Sequence, residues 1–517
     1  MNSSVAGFWL RQVCFPKGGS GIGRGIQPEL WEGRFEFDCT KVANLPLPVS
    51  FPVRLSSDLG DSSVRIDDFS PVATLADWAS VAVTDLCACL DRAREQWHHI
   101  RRQMIAWQEE LDWQVYETFG LVEPGDAVSQ SEGQAAIPPD AIELGQRAFE
   151  IVLARRMAAS EVQTTWFERH KESGSKPITE IPSHWPAAYR ELVERRIRLI
   201  ADDPNIRLIE QPEYKRRWNT ESWVEQLQKA ARDWLLTRLE GYFFEGQRVC
   251  ELKDGVSPVA AGFSASTRPA LSTTNQIAGV AQSDHVFLVV AEVLMGGPGY
   301  SVPKLVRELV GSASVPFLPV QRYKASGLLK RREWEHVWDL QRREDAVDTQ
   351  VRREHSEVTN EVELQRLVRV AQKQQVGDVP VPPKYAGADF KKTVWWSLRG
   401  KLDVPKERWV MYPGVERTED PSPVIAWAGW DHAQQARALA EYYVDAKGNY
   451  AFPPEKLKLL LAGLLDLEPW LRQWHSVVDP LLADSPANAI HAFLDAECHA
   501  LGVTRDDLEV VCTGGSP

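Results

Sequence analysis

Two runs of Lys and Arg stand out against an acidic chain, and side chains of that charge at that density suit contact with phosphate. Between Arg322 and Arg343, seven basic residues (322, 324, 330, 331, 332, 342 and 343) face three acids (333, 335 and 339), a net of +4. Between Lys391 and Arg408, six basic residues face Asp403 and Glu407, again a net of +4, with Trp395 and Trp396 among them. Lys or Arg on phosphate oxygens sets the position of a protein on a duplex without reading its bases. The alternative is a solvated helix face whose acids lie one turn from the bases. Candidates for DNA contact from these runs are Arg322, Lys324, Lys330, Arg331, Arg332, Arg399 and Lys401. A glycine cluster, Gly18 to Gly25, is flanked by Lys17 and Arg24, which join the candidates. It lacks the Lys-Ser/Thr ending of a phosphate loop and the GxGxxG spacing. It reads either as a loop whose backbone approaches a DNA phosphate or as a surface hairpin.

The remaining chemistry is mostly missing. Transfer to an exocyclic amine of a flipped base calls for an Asn/Asp-Pro-Pro-aromatic loop, in which a side-chain oxygen and a carbonyl accept from the amine while the ring stacks on the base. The Pro-Pro pairs here are Ile137-Pro-Pro-Asp140, Val381-Pro-Pro-Lys384 and Phe452-Pro-Pro-Glu455, and none has the required flanks. The 11 histidines show no His-Glu-x-x-His spacing. Among 7 cysteines the close pair, Cys87 and Cys89, is two apart in a helical pattern and so points to different sides. No metal or catalytic group is expected. The unpaired cysteine spacings fit a reducing compartment, so a cytoplasmic protein is expected.

The elements that would position the basic runs follow from periodicity. A chain of 517 residues, 44% hydrophobic and 25% charged, predicts a folded protein of several domains. Its net charge of -13 confines any nucleic-acid contact to local patches. No run of about eighteen apolar residues occurs, so no membrane partner is expected. Leu86, Leu90, Ala93, Trp97, Ile100, Met104, Trp107, Leu111 and Val115 advance by fours and threes, the heptad seam of one long helix closed by Gly120. The fold class expected is mainly α with smaller β elements. The parts are a strand-rich start over 1–74, the long coiled-coil-like helix in 75–121, a helical domain over 141–250 and a charged helical region over 286–375. A C-terminal module over 379–517 follows, with a small β part near Val379 to Trp430. Residues 122–140 and 251–284 read as irregular connections. The apolar Phe8-Trp9-Leu10 so near the start suggests covering strands from elsewhere, and so a missing upstream part.

Several segments carry a family resemblance. Thr40-Lys41-Val42-Ala43-Asn44-Leu45-Pro46-Leu47-Pro48 resembles the junction after a target-recognition domain in restriction-modification proteins, which adds Lys41 to the DNA-contact candidates. Glu110-Leu111-Asp112-Trp113-Gln114-Val115-Tyr116-Glu117-Thr118-Phe119-Gly120-Leu121 is similar to the close of the recognition region in fused methyltransferases of the Eco-type restriction families. Ile209 to Trp218, Arg322 to Leu328, Trp334 to Asp345 and Tyr385 to Trp430 resemble the PglX family, adenine-specific DNA methyltransferases of phage-growth-limitation (BREX) defence systems. The resemblance implies an enzyme that uses S-adenosylmethionine to mark host DNA. It also implies that the methyltransferase fold lies upstream of the segments matched, so no cofactor is expected on this chain. Expected partners are double-stranded DNA, a methyltransferase domain or subunit and other phage-defence proteins. The resulting expectation is a DNA-recognition and assembly portion that is not catalytic alone. The alternative is a protein-interaction scaffold without DNA contact.

Overall fold

The nine seam residues build a helix of 33 residues. A computed structural model describes residues 3–16, 29–48, 50–81, 85–123, 142–171, 174–218, 220–244, 270–401, 404–478 and 484–514. The described chain forms two compact units, Met1–Ala231 and Arg232–Pro517.

The first unit contains α1 (Ser4–Val13), β1 (Phe15–Pro16), β2 (Phe35–Glu36), α2 (Cys39–Ala43), α3 (Val53–Asp68) and α4 (Pro71–Val81). The long helix α5 (Leu86–Thr118) follows, then α6 (Ala148–Ala158), α7 (Trp166–Arg169), α8 (Ala187–Asp202), α9 (Pro204–Ile209) and the start of α10 (Trp223–Phe244). Asp85 caps α5 by accepting from the Cys87 amide at 2.9 Å, and Gly120 at φ 67° ends it, with Leu121 N–H donating to the Tyr116 carbonyl at 2.9 Å. Helices α3 and α4 pack along α5. The heptad seam therefore faces other helices of the same unit. Beyond Ile100 the polar side is covered too: Gln108, Glu109, Glu110 and Asp112 are all buried. The second half of α5 is a central core helix, whereas a coiled coil would leave these positions in water.

The strand-rich start is corrected. Ser3 accepts from the Ala6 amide, and Ser4, Ala6 and Leu10 turn one face inward, so Phe8-Trp9-Leu10 lies in helix α1, and β1 and β2 form a two-stranded ribbon of two residues each. An apolar run this short fits a buried helix or a buried strand equally, and the serine cap decides.

The second unit takes α10 onward, with β3 (Ser272–Thr273), α11 (Thr274–Ser283), α12 (His285–Met295), α13 (Val302–Ser312), β4 (Ser314–Pro316), α14 (Pro319–Arg322), α15 (Ala325–Glu354) and α16 (Glu361–Gln375). Then come α17 (Thr393–Leu398), β5 (Arg399–Lys401), β6 (Val404–Lys406), β7 (Trp409–Met411), β8 (Val424–Trp427), α18 (His432–Gly448), α19 (Pro454–Trp474), α20 (Pro486–Leu501) and α21 (Arg505–Thr513). Mainly α with smaller β elements is the observed class. The β part draws on more than Val379 to Trp430: the four-stranded sheet runs β3-β8-β7-β4, with β4 parallel to β7 (Val315 opposite Val410) and the other pairs antiparallel. Part of the expected irregular stretch 251–284 is helix α11, opened by a capping box at Thr273 and Gln276. Helices α18 to α21 pack around a core that includes Leu439, Leu460, Leu464 and Leu494. No single described helix is long and apolar enough to cross a membrane.

Candidate nucleic-acid interface

The two basic runs meet in the second unit. Tyr323 and Phe390 form an isolated antiparallel bridge, which lays the segment before α17 beside the start of α15. Asp389 holds the junction. Its carboxylate accepts from Lys330 Nζ at 2.7 Å, Ser326 Oγ at 2.8 Å and the Ala386 amide at 2.8 Å, and its carbonyl accepts from the Lys324 amide at 2.8 Å. Burial works to raise the Asp389 carboxyl, but these donors outweigh it and hold it below the ordinary aspartate value. Gly327 permits the approach, because a Cβ there would lie 2.4 Å from the Asp389 carbonyl oxygen.

Beneath this junction Val315, Tyr323, Phe390 and Trp395 are buried together, with Tyr385 and Trp396 half-buried against them. Tyr385 stacks on Tyr323 at 5.4 Å between centroids, and Arg399 lies over the Tyr385 ring at 4.8 Å. Lys392 stands over Trp395 at 5.2 Å. Lys324, Arg332, Lys391, Lys392 and Arg399 are exposed, and among the described residues none has an acidic partner within 4.0 Å. The result is a basic rim around an aromatic patch, the combination that grips a phosphate backbone and offers a ring to a base.

Not every residue of the runs is available. Arg331 bonds Asp466 at 2.6 Å and Glu335 at 2.7 Å, Lys330 is tied to Asp389, and Arg322 Nε donates to the Pro316 carbonyl at 2.8 Å. Arg408 pairs with Asp233 and Glu240 of α10. The side chain of Lys401, like Lys17 and Arg24 with the glycine cluster and the connection 124–141, lies outside the described residues. Lys41 is half-buried on α2 in the other unit.

The first unit holds a group of ionisable residues that no motif announces. Lys215, 1% exposed, meets Asp112 at 3.1 Å, Glu109 at 3.8 Å and Glu210 more closely still, and Glu210 also accepts from the Tyr116 hydroxyl. Asp112 accepts from Ser4 as well, from the amide at 2.9 Å and from Oγ at 2.7 Å. Nearby, Arg196 grips Glu110 in a fork at 2.7 and 2.8 Å, and Arg147 grips Glu150 at 2.8 and 3.0 Å. Two segments singled out by resemblance, Glu110 to Leu121 and Ile209 to Trp218, therefore interlock here. The charged side chains of the group, Lys215, Glu109, Glu110, Asp112, Glu210, Arg147, Glu150 and Arg196, are all buried, which is the setting of a structural framework.

Three carboxylates around one ammonium leave excess negative charge, which favours a proton on one of them. Burial, reinforced by Glu109 against the pull of Lys215, pushes Glu210 up to about 7. A carboxyl with a raised folded value stabilises the fold fully below its unfolded value near 4.3, and loses that contribution as pH rises through the folded value. The melting temperature of the wild-type chain should therefore fall, relative to Glu210→Gln, as pH rises from about 5 to about 8. A difference between the two proteins that stays constant over this range would show that Glu210 is not the group that titrates.

A family model described as a domain of unknown function, DUF7008, matches residues 104–512. The chain is 41% identical over 511 residues to the adenine-specific methyltransferase PglX of Streptomyces coelicolor. That alignment covers 98% of this chain and 38% of the longer protein. No solved structure matches.

Proposed function

This chain belongs to the DUF7008 family, and from that membership and its likeness to PglX we propose that it is a DNA-contacting and assembly portion of an adenine-specific DNA methyltransferase acting in phage defence. The observation behind DNA contact is the rim of Lys324, Arg332, Lys391, Lys392 and Arg399 around half-buried Tyr385 and Trp396. The rim sits on two segments joined through Asp389, so the backbone positions that carry its charges are set before a ligand arrives. Methyl transfer with S-adenosylmethionine belongs, in this reading, to the part of the longer protein that this chain does not span. The chain acts beside that part in the cytoplasm, together with other defence proteins.

Phosphate contacts predict salt-dependent binding with little dependence on sequence. The triple variant Lys324→Glu, Arg332→Glu and Lys391→Glu should weaken duplex binding by a similar factor for unrelated sequences. It should also flatten the plot of log affinity against log salt by roughly 0.9 for each contact removed. Arg331 is left intact because its reversal would break the pair with Asp466. A band-shift series over salt concentration measures both effects. A wild-type slope near zero would favour the protein-interaction scaffold over DNA contact.

A further inference from the structure

The first unit has a cavity of about 290 Å³ whose lining includes one stripe of α5 and the start of α10. Arg94, His98 and Arg102 step by fours along α5 and Arg101 lies three beyond His98, so they share a helix face beside the apolar seam; Arg94 pairs with Asp91 at 2.9 Å and Arg101 donates to the Trp218 carbonyl at 2.6 Å. Trp97 and Trp223, 6.0 Å apart between centroids, together with Ile105 and Leu144 make the apolar part of the lining. Across from the arginines, residues 220 to 224 bring in the N-terminus of α10, a helix of 22 residues whose first turn is already capped by Glu225, its carboxylate accepting from the Ser222 amide at 2.9 Å and hydroxyl at 3.0 Å. Two carboxylates also line the cavity: Glu143, which is exposed and 3.8 Å from Arg102, and Glu221, which is paired with Lys229.

We propose that this cavity binds a nucleotide through its phosphate, with the arginine stripe holding the phosphate and the tryptophan side taking the base. Its volume is at the lower end of small-ligand sites and fits one such unit. The local field agrees: burial, then Arg101, Arg102 and Arg94, hold the His98 imidazole below its ordinary value, with Glu143 opposing them. Burial and then Arg147 push the Arg101 guanidinium down to about 10. An arriving phosphate relieves this repulsion and raises His98. The site is independent of the rim on the second unit.

The test is histidine NMR on the full chain, following His98 through a pH titration with no ligand, inorganic phosphate, dAMP or a five-nucleotide single-stranded DNA. The proposal expects the His98 value to rise by at least half a unit with dAMP or the oligonucleotide, and less with inorganic phosphate. A response to dAMP alone supports a free nucleotide, and a response to the oligonucleotide alone supports a strand. The double variant Arg94→Gln and Arg102→Gln alters one exposed and one half-buried side chain and leaves Arg101 in place; it should weaken dAMP or oligonucleotide binding at least tenfold. No His98 shift with any probe, an equal shift with inorganic phosphate, or wild-type affinity in the double variant would overturn the proposal.

Discussion

Leu111→Asp should abolish the cooperative unfolding transition of the N-terminal unit. Leu111 is 7% exposed on α5, in the same core as Trp113, Phe149 and Trp166. The change removes a buried apolar side chain, worth about 2–3 kcal/mol, and leaves a carboxylate without a partner, which costs several kcal/mol more. The sum rivals the whole stability of a typical domain. Its two neighbours show why the effect belongs to the position and not to acidity as such. Glu110 and Asp112 are buried acids on the same turn, tolerated because Arg196 forks onto one while Ser4 and Lys215 hold the other. Position 111 has no such cation. Leu111→Met, which keeps volume and polarity, should cost less than about 1.5 kcal/mol. Thermal melts followed by circular dichroism, with limited proteolysis to identify the unit that opens, separate the two variants. A wild-type melt for Leu111→Asp would sink the core assignment of α5.

Arg196→Met should destabilise the same unit by about 3–5 kcal/mol, and adding Glu110→Met should restore most of the loss. Arg196 is fully buried, bonds both oxygens of Glu110 and lies 4.8 Å from the centroid of the Trp113 ring. Removing the guanidinium strands a carboxylate where water does not reach. Removing both charges leaves two flexible apolar chains of similar volume. The bond from the Tyr189 hydroxyl to Glu110 at 3.2 Å is not replaced, so recovery should fall short by at least about 1 kcal/mol. A denaturant double-mutant cycle reads the coupling directly. Additive losses in the double variant would mean that the pair is not an isolated electrostatic unit.

Much of this protein follows from short-range pattern. The nine seam positions from Leu86 to Val115 specify a helix because every third or fourth residue falls on one face, whatever lies beyond, and α5 covers that span with a cap at each end. The basic runs were visible as runs, and the aromatic residues interleaved with the second run line the patch that the rim surrounds. The arginine stripe from Arg94 to Arg102 was open to the same reading, hidden only because attention to the apolar phase passes over its polar flank.

What sequence could not decide is which charges are neutralised and by whom. Arg331 and Arg332 are adjacent and alike, yet one bonds Asp466, 135 positions away, and the other faces water. Lys215 draws its partners from α5 and from Glu210, and Ser4 closes the group from the opposite end of the unit. Strands β3 and β4 are two and three residues long, too short for an alternating pattern, and exist because β8 and β7 offer them hydrogen bonds. In each case local periodicity fixes only which face a residue occupies. Which partner it meets depends on loop closure across a hundred residues or more, and that is settled by the energy of burying a charge or a backbone amide only where a complement is waiting.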